Sequence, residues 1–238
     1  MPKLKVGGLA VEVVRKNIKN LHLAVYPPNG RVRVAVPLRV GNEAVRLAVA
    51  SRLGWIRRQQ KRLRSQERQS AREYVSRESH YYLGRRHLLN MIFHDGPAKV
   101  VVSKPPSIDF YVRRSVTRTG RARILQEWYR KELKALVPPL LAKWEANMGM
   151  NVNHWGVKSM KTRWGACNPN ARRIWINLEL AKKPVQCLEY IVVHEMVHFL
   201  VRNHDKDFIA HMDKFLPQWR SLRDELNRFP LRHESWGY

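Results

Sequence analysis

The chain has 238 residues, and 44% of them are hydrophobic. That is enough for one large domain or two small ones around a real core, and it excludes a disordered chain. Lys and Arg number 45 against 19 acids, a formal net charge of +26, which fits a polyanionic partner or a strongly solvated basic surface.

Residues 11–40 alternate apolar and basic side chains with a period near two, interrupted by the turn signal YPPNG. This predicts a half-exposed antiparallel hairpin. From about 42 to 78 the period becomes helical, with Asn42 as the expected N-cap. That long helix is strongly basic, carrying Arg46, Arg52, Arg57, Arg58, Lys61, Arg62, Arg64, Arg68 and Arg72. Such a face can lie on a nucleic-acid backbone or simply be solvated. Residues 81–114 read as strands, with turns at Gly84 and Asp95-Gly96. Residues 118–147 are helical, and Pro138-Pro139 should kink or split that helix.

Extended text returns at 152–180, broken by the turn Asn168-Pro169-Asn170. Pro184 then opens a helix, and a last helix is expected from about Asp205 to Arg228. No internal repeat is visible. The expected division is a strand-rich N-terminal region, 1–115, with the long basic helix, and a C-terminal domain, 116–238.

Two cysteines, Cys167 and Cys187, make no C-x-x-C pair, so a cysteine zinc site or a disulfide framework is not expected. No run approaches the ~18 apolar residues of a membrane helix. The first residues lack the long apolar segment of a signal peptide. A soluble cytoplasmic protein without membrane contact is expected.

The chemistry concentrates in IVVHEMVHFLVRNHDKDF, residues 191–208. His194 and His198 lie four apart, so a helix puts both imidazoles on one face, one turn apart. Glu195 points about 100° round the helix and can face the same cleft without touching the metal. This is the H-E-x-x-H arrangement of zinc hydrolases, in which the carboxylate takes a proton from the metal-bound water. A catalytic zinc needs a third protein ligand and an open position. His204 is the candidate, with Asn203 able to turn the chain back through a left-handed conformation. Asp207 is a rival ligand, and Asp205 and Asp207 are possible acceptors for a ligand's other ring nitrogen. The metzincin spacing is present, but Val201 stands where metzincins carry glycine. The alternative, an amphipathic core helix, must bury two histidines and a glutamate without partners, which is costly.

The runs 163-RWGAC-167, 174-IWINLEL-180 and 190-YIVVHEMVHFLVRNHDKDF-208 resemble the YgjP-like metallopeptidase family, a relative of the SprT-like zincins. Ala166 and Met196 depart from the usual Ser and Leu, and neither is a proposed ligand. The resemblance implies an α+β, zincin-like fold, with a small antiparallel or mixed sheet beside the H-E-x-x-H helix. It implies Zn2+ on His194, His198 and His204, with Glu195 as catalytic base. It further implies that the strand around Trp175–Leu178 edges the cleft, where an extended peptide can pair. Asn177 there can hold the cleft, the substrate backbone or only a structural hydrogen bond. Arg163 can stabilise an oxyanion, bind a phosphate or cap a turn. Cys167 is expected as a small buried thiol.

Three functions follow as expectations. The first is a zinc-dependent metallopeptidase acting on peptide or protein. The second is a metal-dependent phosphohydrolase acting on nucleoside triphosphates or another anionic substrate. The third is a nucleic-acid-binding module pinned by zinc, against which an intact Glu195 argues.

Overall fold

The computed structural model describes residues 3–26, 29–65, 72–103, 106–160 and 163–228. It is a mixed α+β structure with three small sheets and, among the described residues, six helices. The described residues form two compact units, one within residues 3–65 and one within residues 72–228. The second unit takes in the strands between 79 and 112. The strands that follow residue 78 pair among themselves, and their buried face packs against Ile124 and Trp128, which lie in the C-terminal half.

In the first unit, β1 (Lys3–Val6), β2 (Leu9–Lys16), β3 (His22–Tyr26) and β4 (Arg31–Pro37) form a sheet ordered β1-β2-β4-β3. The expected hairpin exists as β3 and β4, paired antiparallel from His22↔Ala35 to Tyr26↔Arg31. The text before it is a separate strand, β2, that pairs parallel with β4. Alternation identified the faces, and Val11, Val13, Val32, Val34 and Val36 are buried. It carried no signal for the parallel crossover.

The expected long helix is two helices, α1 (Asn42–Ala50) and α2 (Leu53–Ser65). Val45, Val49 and Ile56 are buried against the sheet. Gly41, not Asn42, is the N-cap, at φ −74, ψ 163, and the Asn42 side chain accepts a hydrogen bond from Arg15 at 2.8 Å. Residues 66–71, Arg68 among them, lie outside the described residues, and 72–78 are not helical.

In the second unit, β5 (Ser79–Tyr82), β6 (Arg85–Phe93), β7 (Lys99–Ser103) and β8 (Ser107–Val112) form a sheet ordered β5-β6-β8-β7. Its order and pairing senses repeat those of the first sheet: antiparallel, parallel, antiparallel. Both opening hairpins turn through two residues of positive φ, Gly7-Gly8 and Leu83-Gly84, as tight primed turns require. The repeat hides in the sequence because one copy puts a leucine in the left-handed position.

The helix α3 (Arg118–Met148) runs unbroken through Pro138 and Pro139. Leu125, Tyr129, Leu133, Val137, Leu141 and Trp144 recur at helical spacing and are all buried. That stripe holds the helix on the main core despite two missing N–H donors. Beyond it, β9 (His154–Lys158), β10 (Gly165–Asn168) and β11 (Arg173–Asn177) form the third sheet, followed by a 3-10 turn over Leu178–Lys182. Then come α4 (Val185–Val197), α5 (Lys206–Phe215) and α6 (Trp219–Arg228). The single last helix expected from 205 to 228 is therefore two. Pro217 forces the break by restricting Leu216 to φ −138, ψ 73. No helix among the described residues is long and apolar enough to cross a membrane.

Candidate metal centre

α4 is apolar nearly all round, and nine of its 13 residues are buried. Such a helix belongs inside a core, and α4 packs against α3, β10, β11, α5 and α6. His194 and Glu195 lie in its last turn, and His198 is its C-cap at φ −64, ψ −12. The chain then tightens, with Phe199 N–H donating to Met196 O at 2.9 Å and Leu200 N–H to Val197 O at 2.9 Å. This earlier ending brings His204 back without a left-handed residue at Asn203, which is absent from the positive-φ residues among those described.

The three histidines converge. His204 Nε2 lies 3.0 Å from His194 Nε2 and 3.1 Å from His198 Nε2. His198 Nδ1 lies 3.0 Å from Val201 O, so that nitrogen carries the proton and Nε2 presents a lone pair. Burial, then the neighbouring imidazoles, push the His194 pKa down to about 3, and His204 is also lowered, first by burial. Neutral imidazoles are the form that binds a metal. Nitrogens this close cannot all donate to one another, and an ion bonded at about 2.0–2.1 Å to each resolves the clash of lone pairs. The donor set therefore fits a divalent metal, and His194, His198 and His204 can hold one.

Beneath them lies Phe208, with its ring centroid 5.0, 4.8 and 4.6 Å from those of His194, His198 and His204. Phe208 is buried at 2% exposure and forms an apolar floor under all three imidazoles. Asp205 is the N-cap of α5, accepting from Phe208 N–H at 3.1 Å. That contact fixes the floor and commits the Asp205 carboxylate away from ligation. Asp207 is exposed in the first turn of α5 and lies outside the cluster that can hold a metal. His211 stacks on Phe215 instead.

Glu195 is buried at 6% exposure. Burial pushes its pKa up to about 7, while the Arg163 charge and a hydrogen bond from Cys167 pull the other way. Cys167 is raised to about 11, first by burial and then by the Glu195 charge, so it is a thiol that donates. β10 supplies the close wall, since an added Cβ at Gly165 would lie 2.5 Å from Glu195 Oε1.

The edge strand differs from the expectation. The sheet order is β10-β11-β9, so the strand around Trp175 is central, and β10 and β9 are the two edge strands among the described residues. β10 lines the same cleft, of about 640 Å³, as the histidines and Glu195. Asn177 is not in that cleft's lining. It is buried, with Nδ2 donating to Met160 O at 2.9 Å and Arg163 O at 2.6 Å, and Oδ1 accepting from Met160 N–H at 3.3 Å and Glu179 N–H at 3.2 Å. All its amide capacity goes to the protein, so of its expected roles the structural hydrogen bond is the one seen. Arg163, which it tethers, does line the cleft. The bare motif held no signal for Phe208 as a floor. Gly165 was visible within RWGAC, but its reason is only spatial. Tyr190, Arg202 and Arg223 also line the cleft, and the sequence reading gave them no role.

The model of the family described as "YgjP-like, metallopeptidase domain" matches residues 19–229. The chain belongs to the YgjP-like family. Membership makes it a metallohydrolase of the metallopeptidase kind, with a metal cofactor. Among solved structures, the metallopeptidase zymogen abylysin of Pyrococcus abyssi is similar at 17% identity and TM-score 0.36, over 38% of this chain and 90% of that one. A search of curated proteins found no match.

Proposed function

We propose that this YgjP-like protein is a zincin-like, zinc-dependent peptidase, with His194, His198 and His204 as metal ligands and Glu195 as general base. The observation that carries this reading is the meeting of three Nε2 atoms at 3.0–3.1 Å beside a buried carboxylate, along an edge strand. Three imidazole ligands suit zinc and leave a tetrahedral ion one further position. When bound, zinc supplies a Lewis acid that polarises a carbonyl and lowers the pKa of water to about 7.

The chain's own residues do the rest. β10 has a strand partner on one side only, and an extended peptide can add on the other as a further strand. Glu195, buried beside the three histidines, takes a proton from the attacking water and passes it to the leaving nitrogen. Gly165 keeps the space that its carboxylate needs. Arg163 stands near enough to act electrostatically on Glu195, and its guanidinium can stabilise negative charge on the carbonyl oxygen. The free thiols of Cys167 and Cys187 suit a reducing compartment such as the cytoplasm.

The test is a parallel screen of zinc-loaded protein against casein-type peptides and nucleoside triphosphates. Peptide cleavage that disappears in Glu195→Gln, with zinc content retained, is the expected result. Phosphate release without peptide cleavage would overturn the proposal in favour of phosphohydrolysis.

A further inference from the structure

The cleft beside the histidines has an uneven charge. Its lining includes Arg163, Arg202 and Arg223, while Glu195 is its one carboxylate among the described residues. Glu195 is buried, and the three arginines are exposed. The three come from separate places. Arg163 leads into β10, Arg202 lies in the loop between His198 and His204, and Arg223 projects from α6.

Their tethers orient them without cancelling their charge. Arg202 donates to Asn170 Oδ1 at 3.0 Å, a neutral amide in the turn that follows β10. Arg163 is fixed at its own carbonyl by Asn177, and its guanidinium, the one that acts on the buried Glu195 carboxylate, is shared between that group and the cleft. Arg223 is shared too. It meets Asp224 at 3.2 Å, in an exposed pair of adjacent residues, and it lies 5.2 Å over the Trp219 ring. An exposed pair of that kind is weak. Arg163 precedes β10 and Arg202 is tied to the turn after it. The two therefore bracket the edge on which an extended chain would pair. Arg223 faces the same cleft from the helical side.

We infer that the cleft is built for acidic polypeptide: segments with Asp or Glu on both sides of the bond that is cut, whose carboxylates meet Arg163, Arg202 and Arg223. This rests on the peptidase reading and narrows its substrate class. Basic segments are repelled by the same three guanidiniums. An exposed ion pair contributes about two- to fivefold, so three engaged together give a preference of about tenfold or more, screened by salt.

The experiment has two arms on the full chain. In the first, zinc-loaded protein is given three peptide sets of equal length, acidic, neutral and basic around a common central sequence. The expected result is kcat/KM about tenfold higher for the acidic set at low salt, with the advantage shrinking as salt is added. In Arg202→Glu and Arg223→Glu, at unchanged zinc content and melting temperature, the preference moves towards the basic set. Equal cleavage of all three sets overturns the inference and leaves the peptidase reading standing.

The second arm does not need turnover. Fluorescence anisotropy measures binding of the same labelled peptides to zinc-loaded Glu195→Gln protein, with inorganic tripolyphosphate as competitor. Tighter binding of the acidic set supports the inference even if no peptide is cut, a result that would remove the peptidase reading alone. No charge preference among the peptides overturns the inference. Binding of tripolyphosphate but of no peptide does so as well, and assigns the arginines to phosphate.

Discussion

Gly165 and Glu195 interlock: a single added carbon at Gly165 would stand 2.5 Å from Glu195 Oε1, 2.8 Å from its Cγ and 2.9 Å from its Cδ. The overlap involves the whole end of the side chain. Neither partner can easily yield, because Gly165 is held in register against Ile176 and Glu195 lies in the last turn of a buried helix. Gly165→Ala should therefore displace the carboxylate and leave the histidines in place. The expected outcome is a loss of kcat of about 100-fold or more, within the range for removing a general base, at normal zinc stoichiometry. Normal turnover in this variant would show that Glu195 need not occupy its present position.

Phe208 supports the histidines in a different way. It touches all three imidazoles and offers them no polar group. Phe208→Ala should cost about 3–5 kcal/mol of stability and weaken zinc by about tenfold or more, because the surroundings of a site orient its ligands. Phe208→Leu keeps most of the apolar volume and should recover much of the stability. Competitive chelator titration and thermal melts separate the two effects. Unchanged zinc affinity in the alanine variant would reduce Phe208 to core packing.

The legible part of this molecule was the part with local periodicity. The spacing of His194, His198 and His204 is enough to suggest a shared ion, and the structure brings these three rings together. The alternation of β3 and β4 likewise gave a true antiparallel pair. The illegible parts depend on long-range contacts. Nothing local says that β11 pairs on both sides while β10 has a strand partner on one side only. Nothing local says that the buried stripe of α3 outweighs two prolines. Asn177 resembles a functional polar residue in a strand, and only its four hydrogen bonds show where its capacity goes. Pro217 was an available signal for ending α5.

Those four bonds make Asn177 a test of how the Arg163 loop is held. Asn177→Ala strands the Met160 and Arg163 carbonyls and the Met160 and Glu179 N–H groups. The expected loss is about 1–3 kcal/mol for leaving buried groups unpaired. If Asn177 serves the site by holding Arg163, then Asn177→Ala and Arg163→Ala should lower kcat/KM non-additively in a double-mutant cycle. Fully additive losses would confine Asn177 to stability.

Acid should act on a second buried histidine, away from the metal centre. His80 is 4% exposed, pairs with His87 across β5 and β6, and its Nε2 makes no hydrogen bond among the described residues, with Glu78 Oε1 standing 3.6 Å away. Burial, aided by the charges of Arg72 and Lys182, lowers its pKa from 6.5 to about 3. Above pH 6.5 the ring is neutral both folded and unfolded, and its titration costs nothing. As pH falls below 6.5 the unfolded chain takes up a proton that the folded chain refuses, so stability declines progressively towards pH 3. The slope is on the order of 1 kcal/mol per pH unit. His80→Gln removes the titration and should flatten this part of the acid limb, even if the variant is less stable at neutral pH. Urea midpoints measured from pH 7.5 to pH 4 in both proteins give the difference directly. A wild-type slope identical to that of the variant would mean that His80 becomes protonated in the folded state without penalty.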